Sequence, residues 1–163
     1  MPYHPLTQKI VSLLKENNFW FETFGHEPVT TSEEAAKIRS GYTLAQGTKA
    51  MIVRVKEKND SKYFIMLVLP GDKKIDIDKV KKDLNAKDIR FANPGEIKEI
   101  TDGVQIGGIP PFGNLFGLKI IVDTSLFENE KIIFNAGDRR VSVAMKSGDY
   151  KELVKPQISE IIL

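Results

Sequence analysis

Two apolar runs a short polar step apart set the tightest limit on what this chain can fold into. Ala50–Val55 and Tyr63–Leu69 are aliphatic, β-branched and aromatic, and only the polar stretch Lys56–Lys62 separates them. Runs of this length suit buried strands, and the polar link predicts an antiparallel hairpin. Pro70-Gly71-Asp72 supplies the turn chemistry that closes it. Around the hairpin the periodicity changes repeatedly. Leu6, Ile10, Val11, Leu13 and Leu14 recur at helical spacing, so an amphipathic helix is expected from Pro5 to Asn17. The aromatic-rich stretch Phe19–Phe24 suits a strand. Thr31, with Glu34 three residues on, forms a capping pattern that predicts a helix start at Thr31–Ala36.

Downstream, Asp78 is expected to cap a short helix to Leu84, and Ile89-Arg90-Phe91 to form a brief strand. Asn93-Pro94-Gly95-Glu96 carries a cap and a proline at the first helical position. Strands are expected at Lys119–Asp123, Lys131–Asn135 and Val141–Met145, then a last helix from about Ser147-Gly148-Asp149 that Pro156 ends. Adjacent strands with tight turns imply antiparallel pairing, and helices interrupt them without strict alternation. The expected class is therefore α+β: a mainly antiparallel mixed β-sheet with packed helices. No repeat or low-complexity linker divides the 163 residues, so one domain over 1–163 is expected.

Composition excludes several classes of function. With 41% hydrophobic residues the chain can build its own core, and 24 basic against 22 acidic residues leave a net charge of only +2. That balance does not suit a strongly basic nucleic-acid coat protein. The absence of cysteine removes disulfides, a thiolate nucleophile, thiolate zinc sites and cysteine-ligated clusters. Two histidines, His4 and His26, are too few for a histidine-rich metal site, so no metal or cofactor is expected. The longest apolar run, Phe64–Leu69, falls far short of the roughly 20 residues a bilayer requires. Met1-Pro2-Tyr3-His4-Pro5 has neither the charged head nor the apolar stretch of a signal peptide, so a soluble, cytoplasmic protein without membrane contact is expected. The His-Glu-x-x-His, Gly-x-Ser-x-Gly and phosphate-loop patterns are all absent.

Three stretches carry chemistry. In Gly107-Gly108-Ile109-Pro110-Pro111-Phe112-Gly113, glycines permit unusual dihedrals while two prolines fix φ and remove amide donors. Such a loop is held stiffly with its carbonyls presented, and could accept from a ligand hydroxyl; its alternative reading is a plain turn. Lys49 stands at the mouth of the apolar run Ala50-Met51-Ile52-Val53. In a partly dry cleft its ammonium would serve a phosphate or a developing oxyanion better than in water, whereas on an open strand end it would be merely solvated. Phe134-Asn135-Ala136-Gly137-Asp138 runs a strand into small residues, with Asn135 offering both donor and acceptor. His26 sits in an apparent turn beside Glu27-Pro28, where a structural role outweighs a catalytic one, and the same holds for His4. The lysines from Lys73 to Lys87 interleave with aspartates as on a solvated face, while Arg139 and Arg140 could touch a phosphate backbone.

Four segments in order resemble the YbaK/prolyl-tRNA-synthetase-associated editing-domain family. They are His26–Ala36, Lys49–Val53, Leu69–Lys74, and Gly107–Gly113 followed by Phe134-Asn135-Ala136-Gly137. The resemblance implies a cofactor-free hydrolase that deacylates mischarged aminoacyl-tRNA in trans, with proline-type transfer RNA carrying alanine or cysteine as the first expectation. The need is physical: a pocket built for one small side chain rejects a smaller neighbour by only about 1–3 kcal/mol per methylene. The resemblance makes Lys49 the catalytic residue and Gly107, Gly108, Ile109, Pro110, Pro111, Phe112, Asn135 and Gly137 the substrate-binding ones. Ile109, Phe112 and Met51 would wall the pocket, though Met51 also suits the core. It further implies that the substrate's own ribose hydroxyl, held by loop carbonyls, helps orient the attacking water. The expected partners are the 3′ end of mischarged transfer RNA and possibly an aminoacyl-tRNA synthetase. A different class remains open on the residues, namely a non-catalytic module that binds the acceptor end or a synthetase surface. A hydrolase of another small aminoacyl ester is a third reading.

Overall fold

The computed structural model describes residues 2–28, 33 and 41–163. The expected helix start at Thr31–Ala36 lies outside the described residues, apart from Glu33, which is helical and exposed.

Helix α1 spans Pro5–Glu16 and begins where the sequence reading places it. His4 caps it: Nδ1 accepts from the Leu6 N–H, and the ring's other nitrogen lies 3.0 Å from the Asp102 carbonyl. Ile10 and Leu14, four apart on one face, are fully buried. Strand β1 covers Phe21–Gly25, two residues later than the aromatic stretch suggests. The hairpin forms as expected from β2 (Thr48–Lys56) and β3 (Lys62–Pro70), antiparallel with Val53 opposite Ile65.

Helix α2 (Ile77–Asp83) corrects one expectation. Its cap is Asp76 rather than Asp78, because the extended backbone at 76 lets that carboxylate accept from the N–H groups of Asp78 and Lys79. Strand β4 (Asp88–Phe91) follows, then α3 (Pro94–Thr101), which starts at the expected Asn93 cap and proline; Asn93 and Glu96 also form a reciprocal capping box. Gly113–Phe116 makes one 3₁₀ turn. Strands β5 (Lys119–Asp123), β6 (Lys131–Asn135) and β7 (Val141–Lys146) agree closely with expectation. Helix α4 (Ser147–Val154) ends at a left-handed Lys155 immediately before Pro156, and β8 (Gln157–Ser159) completes the order.

The strands divide between two sheets. One is antiparallel with order β1-β7-β6; the other has order β4-β2-β3-β5-β8. Within the larger sheet β2 pairs antiparallel with β3 and β4, whereas β3–β5 and β5–β8 are parallel. The fold is thus α+β with mainly antiparallel pairing. A parallel bridge between Gly47 and Ile133 joins the sheets, and Asn129 reinforces the seam by donating to the Ala45 carbonyl.

Each face of the five-stranded sheet carries its own apolar cluster. Ile52, Met66, Val68, Ile120 and Val122 face the smaller sheet and meet Ile132, Phe134, Val143 and Met145, with Ile10, Leu14 and Tyr150 from the helices. Val53, Val55, Ile65, Leu67 and Ile121 point the other way and pack with Val80, Ala86, Ile89 and Ile161. This alternation follows from the strand period of two, and it decides where every polar residue of β2, β6 and β7 must point. No helix among the described residues is long and apolar enough to cross a membrane.

Candidate active site

Strand parity decides which way the predicted strand residues point. In β6, Ile132 and Phe134 enter the inter-sheet core, so Ile133 and Asn135 face outward from it. In β2, Ala50 and Ile52 turn to the same core, which sends Lys49 and Met51 to the other face. The bridge partners Gly47 and Ile133 run parallel, and side chains paired in a ladder share a side. Lys49 and Asn135 lie two residues beyond that bridge on their own strands, where Lys49 pairs with Leu69 and Asn135 with Ser142.

The Gly107–Gly113 loop is clipped to the same end of β6. Asn135 Nδ2 donates to the Gly107 carbonyl, and the Gly137 N–H donates to the Gly108 carbonyl at 2.9 Å. Both crossing points use glycine conformations. Gly107 and Gly137 have φ of 92°, where a side chain would strain the backbone, and a Cβ on Gly137 would lie 2.9 Å from Leu6 Cβ.

Fewer of the loop's carbonyls are open than expected. Gly107 and Gly108 are engaged as described, Pro111 accepts from the buried Tyr150 hydroxyl, and Phe112 accepts from the Leu115 N–H. Among the described residues, the Ile109 and Pro110 carbonyls receive no backbone N–H. Phe112 departs from its expected place. Its ring is fully buried and packs edge-on against Phe134 and Tyr150, so it belongs to the inter-sheet core and is no pocket wall. Pro110 and Pro111 are buried too, Ile109 is half-buried, and Ile106 stands exposed at the loop's outer shoulder. Met51 is half-buried and belongs to neither cluster among the described residues, which suits a wall on the Lys49 face.

Lys49 is half-buried, and its ammonium is partly stripped of water. That burial lowers its proton affinity; Glu33 and Asp72 pull it back up, and Lys74 lowers it further. The result is a cation in a partly dry setting with acids nearby. The Gly71 N–H donates to the Gly47 carbonyl at 2.6 Å, which fixes the end of the hairpin that carries Asp72 beside the lysine strand.

Sequence reasoning gave His26 a structural role and did not single out Ser142, and the structure joins them. His26 follows β1, its N–H donating to the Arg140 carbonyl, and its Nε2 lies 2.7 Å from Ser142 Oγ. Ser142 is fully buried on β7 and donates to Asn135 Oδ1 at 3.3 Å. A signal for Ser142 does exist. It is the polar residue in the otherwise apolar run Val141-Ser142-Val143-Ala144-Met145.

The arginines read as possible phosphate contacts are used internally. Arg140 grips Asp138 through Nε and Nη2, reaches the Pro2 carbonyl and lies over the Tyr3 ring. The guanidinium holds the Asp138 carboxyl below the usual aspartate range. Arg139 donates to Gln105.

Comparison with known proteins places the chain in a family. The family model for the aminoacyl-tRNA editing domain matches residues 26–153. The multifunctional Ser/Thr-tRNA deacylase ProXp-y of Escherichia coli K12 is 32% identical over 152 residues, covering 93% of this chain and 89% of its own length. The uncharacterized protein YwhH of Bacillus subtilis is 29% identical over 122 residues, 75% of this chain and 73% of its own. A crystal structure described as a candidate trans-editing enzyme for prolyl tRNA synthetase superposes with a TM-score of 0.81 at 20% identity, covering 99% of both chains, which establishes the shared fold. The match of motifs, fold and relatives is decisive: this chain belongs to the aminoacyl-tRNA editing-domain family.

Proposed function

We propose that this chain removes small, wrongly attached amino acids from transfer RNA in trans, with Lys49 as the catalytic cation. What supports the reading is a partly desolvated ammonium two residues beyond the Gly47–Ile133 bridge, on whose other strand Asn135 holds the Gly107 carbonyl of the glycine–proline loop. Water adds to the ester carbonyl carbon, the bond to the ribose oxygen breaks, and the proton ends on that ribose oxygen. Charge builds on the carbonyl oxygen in the transition state, and a fixed cation there outperforms water. The Ile109 and Pro110 carbonyls are the loop's remaining acceptors for the neighbouring ribose hydroxyl, which would then orient the water. No side-chain nucleophile is required.

Serine and threonine come first as substrates, because the Escherichia coli relative is named for them. Alanine and cysteine on proline-type transfer RNA, expected from the sequence resemblance, come second. A synthetase that releases the mischarged product is the natural partner.

The test is release of radiolabelled amino acid from transfer RNAs charged with serine, threonine, alanine or cysteine. The expected result is turnover of at least one, removed by Lys49→Ala with the fold intact by circular dichroism. Binding of the acceptor end without hydrolysis, indifferent to Lys49→Ala, would instead identify a non-catalytic module.

A further inference from the structure

The polar side chains behind the loop form one connected path. His26 Nδ1 lies 2.8 Å from the Glu27 carbonyl, which can only accept, so Nδ1 carries a proton. In the neutral ring Nε2 is then an acceptor facing Ser142 Oγ. Asn135 has its own direction fixed in the same way: the Gly107 carbonyl requires Nδ2 toward it, which turns Oδ1 toward Ser142. Ser142 has one hydroxyl hydrogen, which serves one of the two acceptors at a time, His26 Nε2 at 2.7 Å or Asn135 Oδ1 at 3.3 Å. Ser142 and Asn135 make further contacts besides, so the path belongs to a wider network.

Each link spans a different element. The path leaves the end of β1, crosses β7 and β6, and finishes on the loop backbone, covering sequence separations of 116, 7 and 28 residues. Core packing does not require such a path, since an apolar side chain at 142 would match its neighbours Val141 and Val143. A buried serine in that place carries a desolvation cost that only a hydrogen-bonded arrangement offsets.

We propose that His26 is a positioning residue: through Ser142 and Asn135 it fixes the Gly107 carbonyl, and with it the glycine–proline loop, in the orientation that receives the aminoacyl ribose. This rests on the deacylase reading for its consequence and on hydrogen bonds alone for its mechanism. Misplacing a substrate-holding loop by about 1 Å can lower a rate by roughly 100-fold without touching the chemistry.

Two measurements test it. In the unliganded protein, His26→Ala should move the backbone amide resonances of Gly107, Gly108 and Gly137 in a nitrogen–proton correlation spectrum. In turnover, His26→Ala should lower kcat about 10- to 100-fold with KM little changed. His26→Gln, whose amide can still reach Ser142, should recover part of that loss, and adding Ser142→Ala to His26→Ala should cost little more. Unmoved loop resonances in His26→Ala would overturn the proposal whatever the activity. So would an unchanged kcat in an active enzyme. If the wild-type protein hydrolyses none of the charged transfer RNAs, the deacylase reading fails, and the resonances still decide whether His26 governs the loop.

Discussion

A lysine ammonium held partly out of water costs the folded protein stability, and Lys49 is in that position. Burial disfavours its charged form relative to the unfolded chain, so the unfolded state binds the proton more tightly. Stability therefore gains from Lys49 as pH rises from its lowered folded value toward the ordinary 10.5. Lys49→Met keeps the stem and deletes the charge. The expected outcome is loss of deacylation, equal or higher stability at neutral pH, and a flatter rise of stability toward the alkaline end. Urea unfolding at several pH values measures all but the activity, and a clear fall in neutral stability would contradict the burial argument. Lys49 stands out in the sequence through the family resemblance, since a charge at the head of an apolar strand alone also suits a solvated strand end. The His26–Ser142 contact does not stand out, because 116 residues separate its partners and neither flanking pattern announces the other.

At the level of elements, local chemistry was read well and pairing less so. The helix start at Asn93-Pro94 needs only a cap and the proline beside it, and it forms where expected. The α2 cap went to Asp76 because two aspartates, Asp76 and Asp78, stand within reach, and backbone extension at 76 decides between them. The division into two sheets and the short strand β8 depend on long-range packing that periodicity does not encode. In α3, Glu96 also bridges to Arg90 with both oxygens, at 2.8 and 2.9 Å. Arg90 first, and the Asn93 N–H second, lower its pKa from 4.5 to about 2. A depressed carboxylate stabilises the fold fully above its ordinary value and loses that contribution as pH falls through the folded one. Glu96→Gln should thus lower the melting temperature at neutral pH, with the gap to wild type closing between pH 4.5 and about 2. A gap that persists at the acid end would contradict the ion-pair account.

Across the whole molecule, the five-stranded sheet is shared by both apolar clusters, so neither core can dissolve without exposing the other. Trp20, the chain's one tryptophan, lies under the Lys131 ammonium at 4.5 Å and reports on the smaller sheet. Far-ultraviolet circular dichroism reports on all elements together. The two signals should trace one coincident urea transition, the mark of all-or-none unfolding. An earlier fluorescence change would mean that the sheets come apart separately. The two sheets are also joined by the bridge between Gly47 and Ile133. A one-residue insertion between Gly47 and Lys49 would rotate the lysine through half a turn of the pleat, aiming its charge at Ile52's side of the sheet. The spacing from that contact to the lysine and to Asn135 must therefore stay an even count for both side chains to keep their present faces.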